Sequence, residues 1–353
     1  MYDITEFFVF AEGDTSQIWA YNGEKKLAAG ILRAVDSDNA VVGLTNNHGE
    51  VFYDFELFYL LDDAGYSIRY FNLYTEGVPQ ECDLVITYNP NSDLTVQDGA
   101  SDSSETDALN AFLSQPGKAY LVFLENGTPA LPNLEAFLNE WGVETMYSKQ
   151  GEHSHRYMVQ DSTQSLTSDG YTIYGEVAEE GRAAELISGL SRGTVFKNAT
   201  ALRAANGFAS NGDGSYTKEN RTMYSLFTAG DKAVSWANGK PVDDSPATLF
   251  ALTEQSNGEG NSSYVGVCAS ADVLSEEFLQ SAVHGNSDTM MRVFESLGKK
   301  NTPRGLTIKP FGSTEISSVT TVQMWSWTVA LALIPAVTVT VVAWVILAKR
   351  RRG

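Results

Sequence analysis

The stretch AYLVFLENGTPALPNLEAFLNEWG, residues 119–142, decides the fold class. AYLVFLE (Ala119–Glu125) is a short apolar run of strand length, and PNLEAFLNEWG (Pro132–Gly142) carries proline at its start and glycine at its end, the polarity of a helix. Working upstream, SETDALNAFLSQPG offers Ser103 or Ser104 as N-cap and acids in its first turn. It turns Leu109, Phe112 and Leu113 to one side and stops at Pro116-Gly117. DLVITY (Asp83–Tyr88) is a second buried-type strand, YSIRYFNL (66–73) alternates as a third, and VVGLT (Val41–Thr45) is a fourth. Between the last two, YDFELFYLLDDA (53–64) places Phe55, Phe58, Leu61 and Ala64 on one helical face, with Gly65 as its stop. Strands alternating with helices at this spacing predict an α/β protein built on a Rossmann-like parallel sheet with right-handed crossovers.

Downstream of Val143 the pattern turns to mixed α+β. YTIYGEVA (171–178) and TMYSLFTA (222–229) read as strands and GRAAELISGL as a short helix. ATLFALTEQ and SSYVGVCAS flank the loop SNGEGN as a hairpin or a pair joined by a turn, and residues 286–298 form a helix capped by Asn286 or Ser287. The expected organisation is a β-rich N-terminal segment over 1–38 and an α/β body over 39–298, as one unit or as two sub-domains divided near 145. A polar juxtamembrane linker over 299–323, a transmembrane helix over 324–348 and a basic stub over 349–353 complete it.

From Trp325 to Ala348 the chain runs 24 residues without a charge, about 36 Å as a helix, more than the ~30 Å of a bilayer core. Trp325, Trp327 and Trp344 stand where interfacial aromatics belong, and Pro335 is expected to kink the helix. Lys349 to Arg352 follow at once, while the upstream flank GSTEISSVTTVQ has one acid and no base. The positive-inside rule then puts the C-terminus in the cytoplasm and the body outside. Export needs an N-terminal signal or helix, and MYDITEFFVF is neither. Either the chain is shortened at its N-terminus or it is tail-anchored and faces the cytosol. The acidic, Lys-poor, Ser/Thr/Asn/Tyr-rich body favours the first.

The net charge is −20, and without the four-residue basic tail the remainder holds 20 basic against 44 acidic residues. Such a surface repels phosphate backbones, so nucleic acid is not an expected partner. Cys82 and Cys268 sit at strand edges and read as buried thiols, with one disulfide open as the alternative.

The loop after the first parallel strand, TNNHGEVFYD, has neither GxGxxG nor GxxxxGK[ST], so no phosphate cradle and no ATP hydrolysis are expected. PQECDLV is not a nucleophile elbow. His48 and Glu50 lie at the carboxyl end of that strand, where open α/β sheets bind ligands, and are the candidate ligand-binding pair; a histidine that simply orders its loop is the alternative. His153 and His155 in EHSHRY would share a strand face but lack further ligands, and SNGDGSYTKEN (210–220) lacks the acid spacing of a calcium loop and reads as a hairpin turn. No metal, cofactor or catalytic residue is expected.

Several of these stretches, in order, resemble the gliding-motility auxiliary (GldG-like) family of ABC transport systems. YNGEKKLAAGILRAV (21–35) is similar to that family's F-x-G-E-Q-x-L-T-x-A-I motif, and TNNHGE (45–50) to its T-G-H-G-E, with Asn46-Asn47 in place of Thr-Gly. LLDDAGYSIRYFNL, VPQECDLVITYNPNSDLT, VGVCASADVLSEEF and GNSDTMMRVFESLG follow in the family's sequence of segments, and the close is again a linker, one helix and a basic stub. Members usually begin with a further transmembrane helix. The family resembles, more distantly, the Rossmann-like domain of intraflagellar transport proteins, and its fold is similar to class-I glutamine amidotransferase-like domains without their catalytic set.

The resemblance implies a non-enzymatic, extracytoplasmic auxiliary subunit of an ABC system. Its partners would be a multi-span permease and, through it, a cytoplasmic ATPase. Thr328, Thr338 and Thr340 with Ala330, Ala332 and Ala336 would offer a packing face to a permease helix, or merely be tolerated by lipid. The alternative function is an extracytoplasmic sugar-binding or other small-molecule module, or an enzyme, using a pocket at His48 and Glu50.

Overall fold

The computed structural model describes residues 3–11, 14–35, 40–50, 56–96, 104–150, 153–243, 246–258, 262–299, 301–312 and 320–352. The chain opens with the strands β1 (Phe8–Ala11) and β2 (Asp14–Tyr21) and the helix α1 (Gly23–Val35). Then come β3 (Val41–Thr45), α2 (Glu56–Asp63), β4 (Ser67–Phe71), the one-turn α3 (Leu73–Glu76), β5 (Leu84–Tyr88), α4 (Glu105–Leu113), β6 (Ala119–Phe123) and α5 (Pro132–Glu140). Every residue of β6 is buried, and so are Leu84 to Thr87 of β5, which is why these strands read as unbroken apolar runs.

Among the described residues a mixed sheet of twelve strands organises the α/β body. β4, β3, β5 and β6 lie side by side and parallel, and the strand Ser262–Cys268 continues them in parallel beyond β6. The strands Thr248–Ser256, Arg221–Thr228 and Ser215–Lys218 then extend the sheet antiparallel. The chain leaves β3 toward β4 on one side and returns to β5 on the other, so the strand order reverses between β3 and β5. One principal core runs from Ala40 to Leu297, and neither it nor the sheet breaks near residue 145.

Local signals act where they were read. Ser104 accepts a hydrogen bond from the Asp107 amide at 3.1 Å and caps α4, whose Leu109, Phe112 and Leu113 are buried. After α5, Gly142 takes φ +87°, and a Cβ there would stand 2.7 Å from the Phe208 ring. The hairpin around SNGEGN pairs Ser256 with Ser262. That around SNGDGSYTKEN pairs Ser210 with Tyr216, Asp213 accepting from the Ser215 amide at its turn.

Four expectations are corrected. The segment 1–38 is not only β: the Glu, Lys, Leu and Ala run after Gly23 is strongly helix-forming and makes α1. The face of α1 toward the protein carries Lys25, Lys26 and Ala29, while Leu27, Ile31 and Val35 point outward at 60%, 56% and 73% exposure. The inner face of α2 is Leu57, Leu60, Leu61 and Ala64, with Phe58 only half-buried and Phe55 outside the described residues. Neither Asn286 nor Ser287 caps the helix Asn286–Ser296. Gly285 holds the N-cap position, and the Asn286 side chain grips both the amide and the carbonyl of Val195 at 2.9 Å.

The fourth correction concerns the linker. Lys309–Pro310 pairs with β2 as the third strand of a small sheet, the Phe311 amide reaches the Trp19 carbonyl at 2.7 Å, and Ile308 packs with Val9 and Ala20. Thr302 and Gly305 are tied to Glu295 and Asp288. Residues 301–312 are therefore strapped to the body, because an edge strand and a small apolar cluster satisfy them there.

The final helix, Thr321–Arg352, begins earlier than 324 because Thr320 and Gln323 form a reciprocal cap, amide to side chain in both directions, at 3.1 and 3.3 Å. Its span Thr321–Val341 has a mean hydropathy of 1.7 and no buried residue, so it is long and apolar enough to cross a membrane. Pro335 lies inside it, and Thr328, Thr338 and Thr340 each donate to the carbonyl four residues back. Their hydroxyls are thus satisfied within the helix.

Candidate functional site

The reversal between β3 and β5 creates the place where an open α/β sheet would bind a ligand, at the carboxyl ends of the strands. Residues 46–50 leave β3 there and carry His48 and Glu50, the pair singled out in the sequence. The structure brings both together and adds a third group, Glu105, from the first turn of α4. His48 Nε2 stands 3.0 Å from Glu105 Oε1, and Nδ1 faces Glu50 Oε1 at 3.4 Å, an ion-pair contact longer than a good hydrogen bond. The exposures of the three side chains are 2%, 0% and 2%.

Each carboxylate is also held by neutral donors. Glu50 accepts from the His48 amide at 2.7 Å and from the Thr45 hydroxyl at 2.5 Å. Thr45 meets Thr87 across the strand pair at 2.9 Å, and the buried Tyr120 hydroxyl donates to Thr87 at 3.0 Å. Glu105 accepts from the Asn47 amide group at 2.7 Å and from the Thr95 backbone at 2.7 Å. The His48 carbonyl receives the Asn91 and Ser92 amides, fastening the loop to the end of β5. Gly49 takes φ +74°, which lets the loop turn back onto Asn91.

Burial alone would push the His48 pKa down. Hydrogen bonds and charge from Glu105 and Glu50 outweigh it and raise the imidazole to about 9. Burial likewise works to raise both carboxyls, yet the His48 contact and the other donors hold each below its ordinary value. At neutral pH the cluster is a buried imidazolium between two carboxylates. Glu105 was legible in the sequence only as a first-turn acid beside its N-cap.

Cys82 and Cys268 are free and fully buried, and burial raises their thiols to about 11 and about 12, far from thiolate character. His153 and His155 lie on the strand His153–Arg156, with their side chains outside the described residues.

An open space lies elsewhere. A partly open cavity of about 460 Å³ is lined by the start of α1, by α2, by β1 and by the short helix Glu276–Leu279. Phe8, Phe10, Tyr59, Leu60 and Leu279 supply its apolar wall. Asp63, 4% exposed, pairs with Lys26 at 2.6 Å and more loosely with Lys25 at 3.6 Å. Lys25 Nζ donates to Ser287 Oγ at 2.7 Å. Burial lifts Glu56 on the same wall to about 7, against an opposing hydrogen bond from Gln280. No sequence signal marked this site, since its walls come from segments more than 200 positions apart.

No family model and no curated protein matches the chain. Among solved structures it is similar to one titled "mmIFT52 N-terminal domain", at 17% identity and a TM-score of 0.50, over 72% of this chain and 96% of that one. A second, "Structure of PurLQS from Thermotoga maritima", aligns at 12% identity and a TM-score of 0.35, over 74% of this chain and 98% of that one. The first likeness concerns the fold alone, and the second is too distant to bear on it.

Proposed function

We propose that this chain is a non-enzymatic, membrane-anchored auxiliary subunit of an ABC transport system. Its Rossmann-like, class-I glutamine amidotransferase-like body would work outside the cytoplasm against a multi-span permease and, through it, a cytoplasmic ATPase. The GldG-like order of motifs motivates the transporter assignment. The observation that favours the non-enzymatic part lies at the strand reversal: His48, the histidine placed where a ligand would sit, is 2% exposed and paired with Glu50 and Glu105. The exposed apolar helix Thr321–Val341 supports the anchor, and the basic residues after it support a cytoplasmic C-terminus.

Affinity purification of the full chain from detergent-solubilised membranes tests this reading. Recovery of a polytopic permease together with an ATPase supports it, and a chain that elutes alone under gentle conditions sinks it. Protease added to intact cells should digest the body; survival until the membrane is breached would overturn the sidedness. The alternative, a ligand or catalytic site at His48 and Glu50, predicts that Asn47→Ala, which loosens Glu105 without removing either residue, alters a substrate-dependent activity.

A further inference from the structure

Asp161, immediately after the strand Met158–Gln160, is 0% exposed. Its Oδ1 is fully employed in a tight turn, accepting from the Thr163 amide and hydroxyl at 2.7 Å each and from the Gln164 amide at 3.1 Å. Its Oδ2 is buried too and has no hydrogen-bond partner among the described residues. A buried carboxylate oxygen left without donor or counter-charge is costly, and native proteins seldom keep one. Oδ2 faces Gly230, where a Cβ would stand 2.5 Å from it and 3.1 Å from Glu176 Oε1. Gly230 lies outside the left-handed region, so glycine serves here for room and not for a turn. Two carboxylate oxygens thus converge on one bare backbone face, no more than 5.6 Å apart. The group beside them is a neutral amide. Gln164 Nε2 donates to Glu176 Oε1 at 3.2 Å, and Gln164 Cγ lies 3.3 Å from the same position on Gly230. Glu176 is exposed, which leaves one side of the pair open to solvent.

We propose that Asp161 Oδ2 and Glu176 Oε1 form a binding site for a hard divalent cation, calcium by preference, held against Gly230. Calcium takes oxygen ligands at about 2.3–2.6 Å, so one ion spans oxygens up to about 5 Å apart. The exposed Glu176 side chain can turn to close any remainder. A half-turn of the Gln164 amide presents its oxygen in place of its N–H, and water completes the shell. No group of three or more His, Cys, Asp or Glu is gathered for a metal among the described residues, so metals that seek nitrogen or sulfur find no ligand set here. With two charged ligands the affinity belongs at the weak end, about 0.1–1 mM. Magnesium, which demands a near-ideal octahedron, suits so irregular a set less well. The site also bears on the anchor. The turn that Asp161 closes leads to Ser165, whose carbonyl accepts from the Thr321 amide and hydroxyl, both at 3.2 Å, at the start of the final helix. A cation on Oδ2 fixes that turn and with it the seat of the helix. The inference stands apart from the transporter reading: no partner enters it.

Thermal unfolding of the detergent-solubilised full chain at constant ionic strength, in EDTA and across a calcium titration, tests it on the unaltered protein. Calcium should raise Tm by a few degrees, with half the rise reached near a millimolar. Magnesium at the same concentration should raise it less, and a rise as large would refute the choice of calcium. Asp161→Asn keeps the Oδ1 acceptor of the turn and removes the charge, and Glu176→Gln changes only an exposed side chain. In each, the calcium concentration at half-rise should move at least about tenfold higher, the loss expected when one of two charged ligands is neutralised. Hydrogen exchange over residues 161–170 should slow with calcium in the parent and in neither variant. No rise in the parent overturns the proposal, because water alone then meets Oδ2. An equal rise in the parent and in Glu176→Gln overturns it as well, because the ion then binds elsewhere on the acidic surface. That comparison decides even where Asp161→Asn fails to fold.

Discussion

His48 Nε2 lies 3.0 Å from Glu105 Oε1, a contact that joins the loop leaving β3 to the first turn of α4. With Glu50 on the other side of the ring, 3.4 Å from Nδ1, the imidazolium sets one positive charge between two buried carboxylates.

Removing that ring should be costly. His48→Ala leaves Glu50 and Glu105 buried and facing each other without a cation, a loss of about 3–5 kcal/mol by analogy with broken buried ion pairs. Chemical denaturation should show a lower midpoint with an unchanged slope. A variant as stable as the parent would mean the cluster does not hold the loop.

The same cluster predicts a pH profile. The folded pKa of His48 is raised from 6.5 to about 9, so its contribution is fully present below about 6.5 and is lost as pH climbs through about 9. Thermal unfolding of the parent should fall across that window. In His48→Gln this part of the fall should vanish.

Glu56 titrates in a different window. Its folded pKa is raised from 4.5 to about 7, chiefly by burial, so the protein loses stability between roughly pH 4.5 and 7 as this carboxyl is forced to ionise. Glu56→Gln should flatten the stability curve there and leave the slope above pH 7.5 unchanged, at a higher level. An unchanged acid-side slope would contradict the assignment.

A second buried pair tethers the strand His153–Arg156 to α5. Arg156, 4% exposed, reaches Glu135 at 2.8 Å and the carbonyls of Thr128 and Pro129 at the same distance, and burial holds its pKa below the usual value. Glu135→Ala strands the guanidinium and should destabilise by about 3–5 kcal/mol. The double change Glu135→Leu, Arg156→Met should recover a clear part of that in equilibrium unfolding.

The anchor is testable by deletion. A chain ending at Thr320 loses the span Thr321–Val341 and should move from the membrane pellet to the supernatant after alkaline extraction. Retention in the pellet would show that another surface binds the bilayer.

What the sequence disclosed follows from the range of the forces involved. α4 and α5 were legible because Ser104, Pro132 and Gly142 act on their immediate neighbours, and β5 and β6 because burial on both faces leaves an unbroken apolar run. α1 was not, because its inner face is Lys25 and Lys26 and its outer face Leu27 and Ile31, the reverse of the usual pattern. Long-range pairing was also hidden: nothing local tells the strand Ser262–Cys268 to lie beside β6, or Lys309–Pro310 to join β2. His48 and Glu50 could be found from their place after a strand. Glu105 could not, since only the folded chain brings α4's first turn to that loop.

The pairing of Lys309–Pro310 with β2 sets a leash. From Gly312, next to that strand, to Thr320, where the final helix is capped, the chain has eight peptide steps, a reach of at most about 29 Å. Thr321 also donates to the Ser165 carbonyl. With the span Thr321–Val341 seated in a bilayer, the body would be confined to a thin shell at the surface and would meet only what comes within a few nanometres of it. A protein docking on it would then be held at that surface with it.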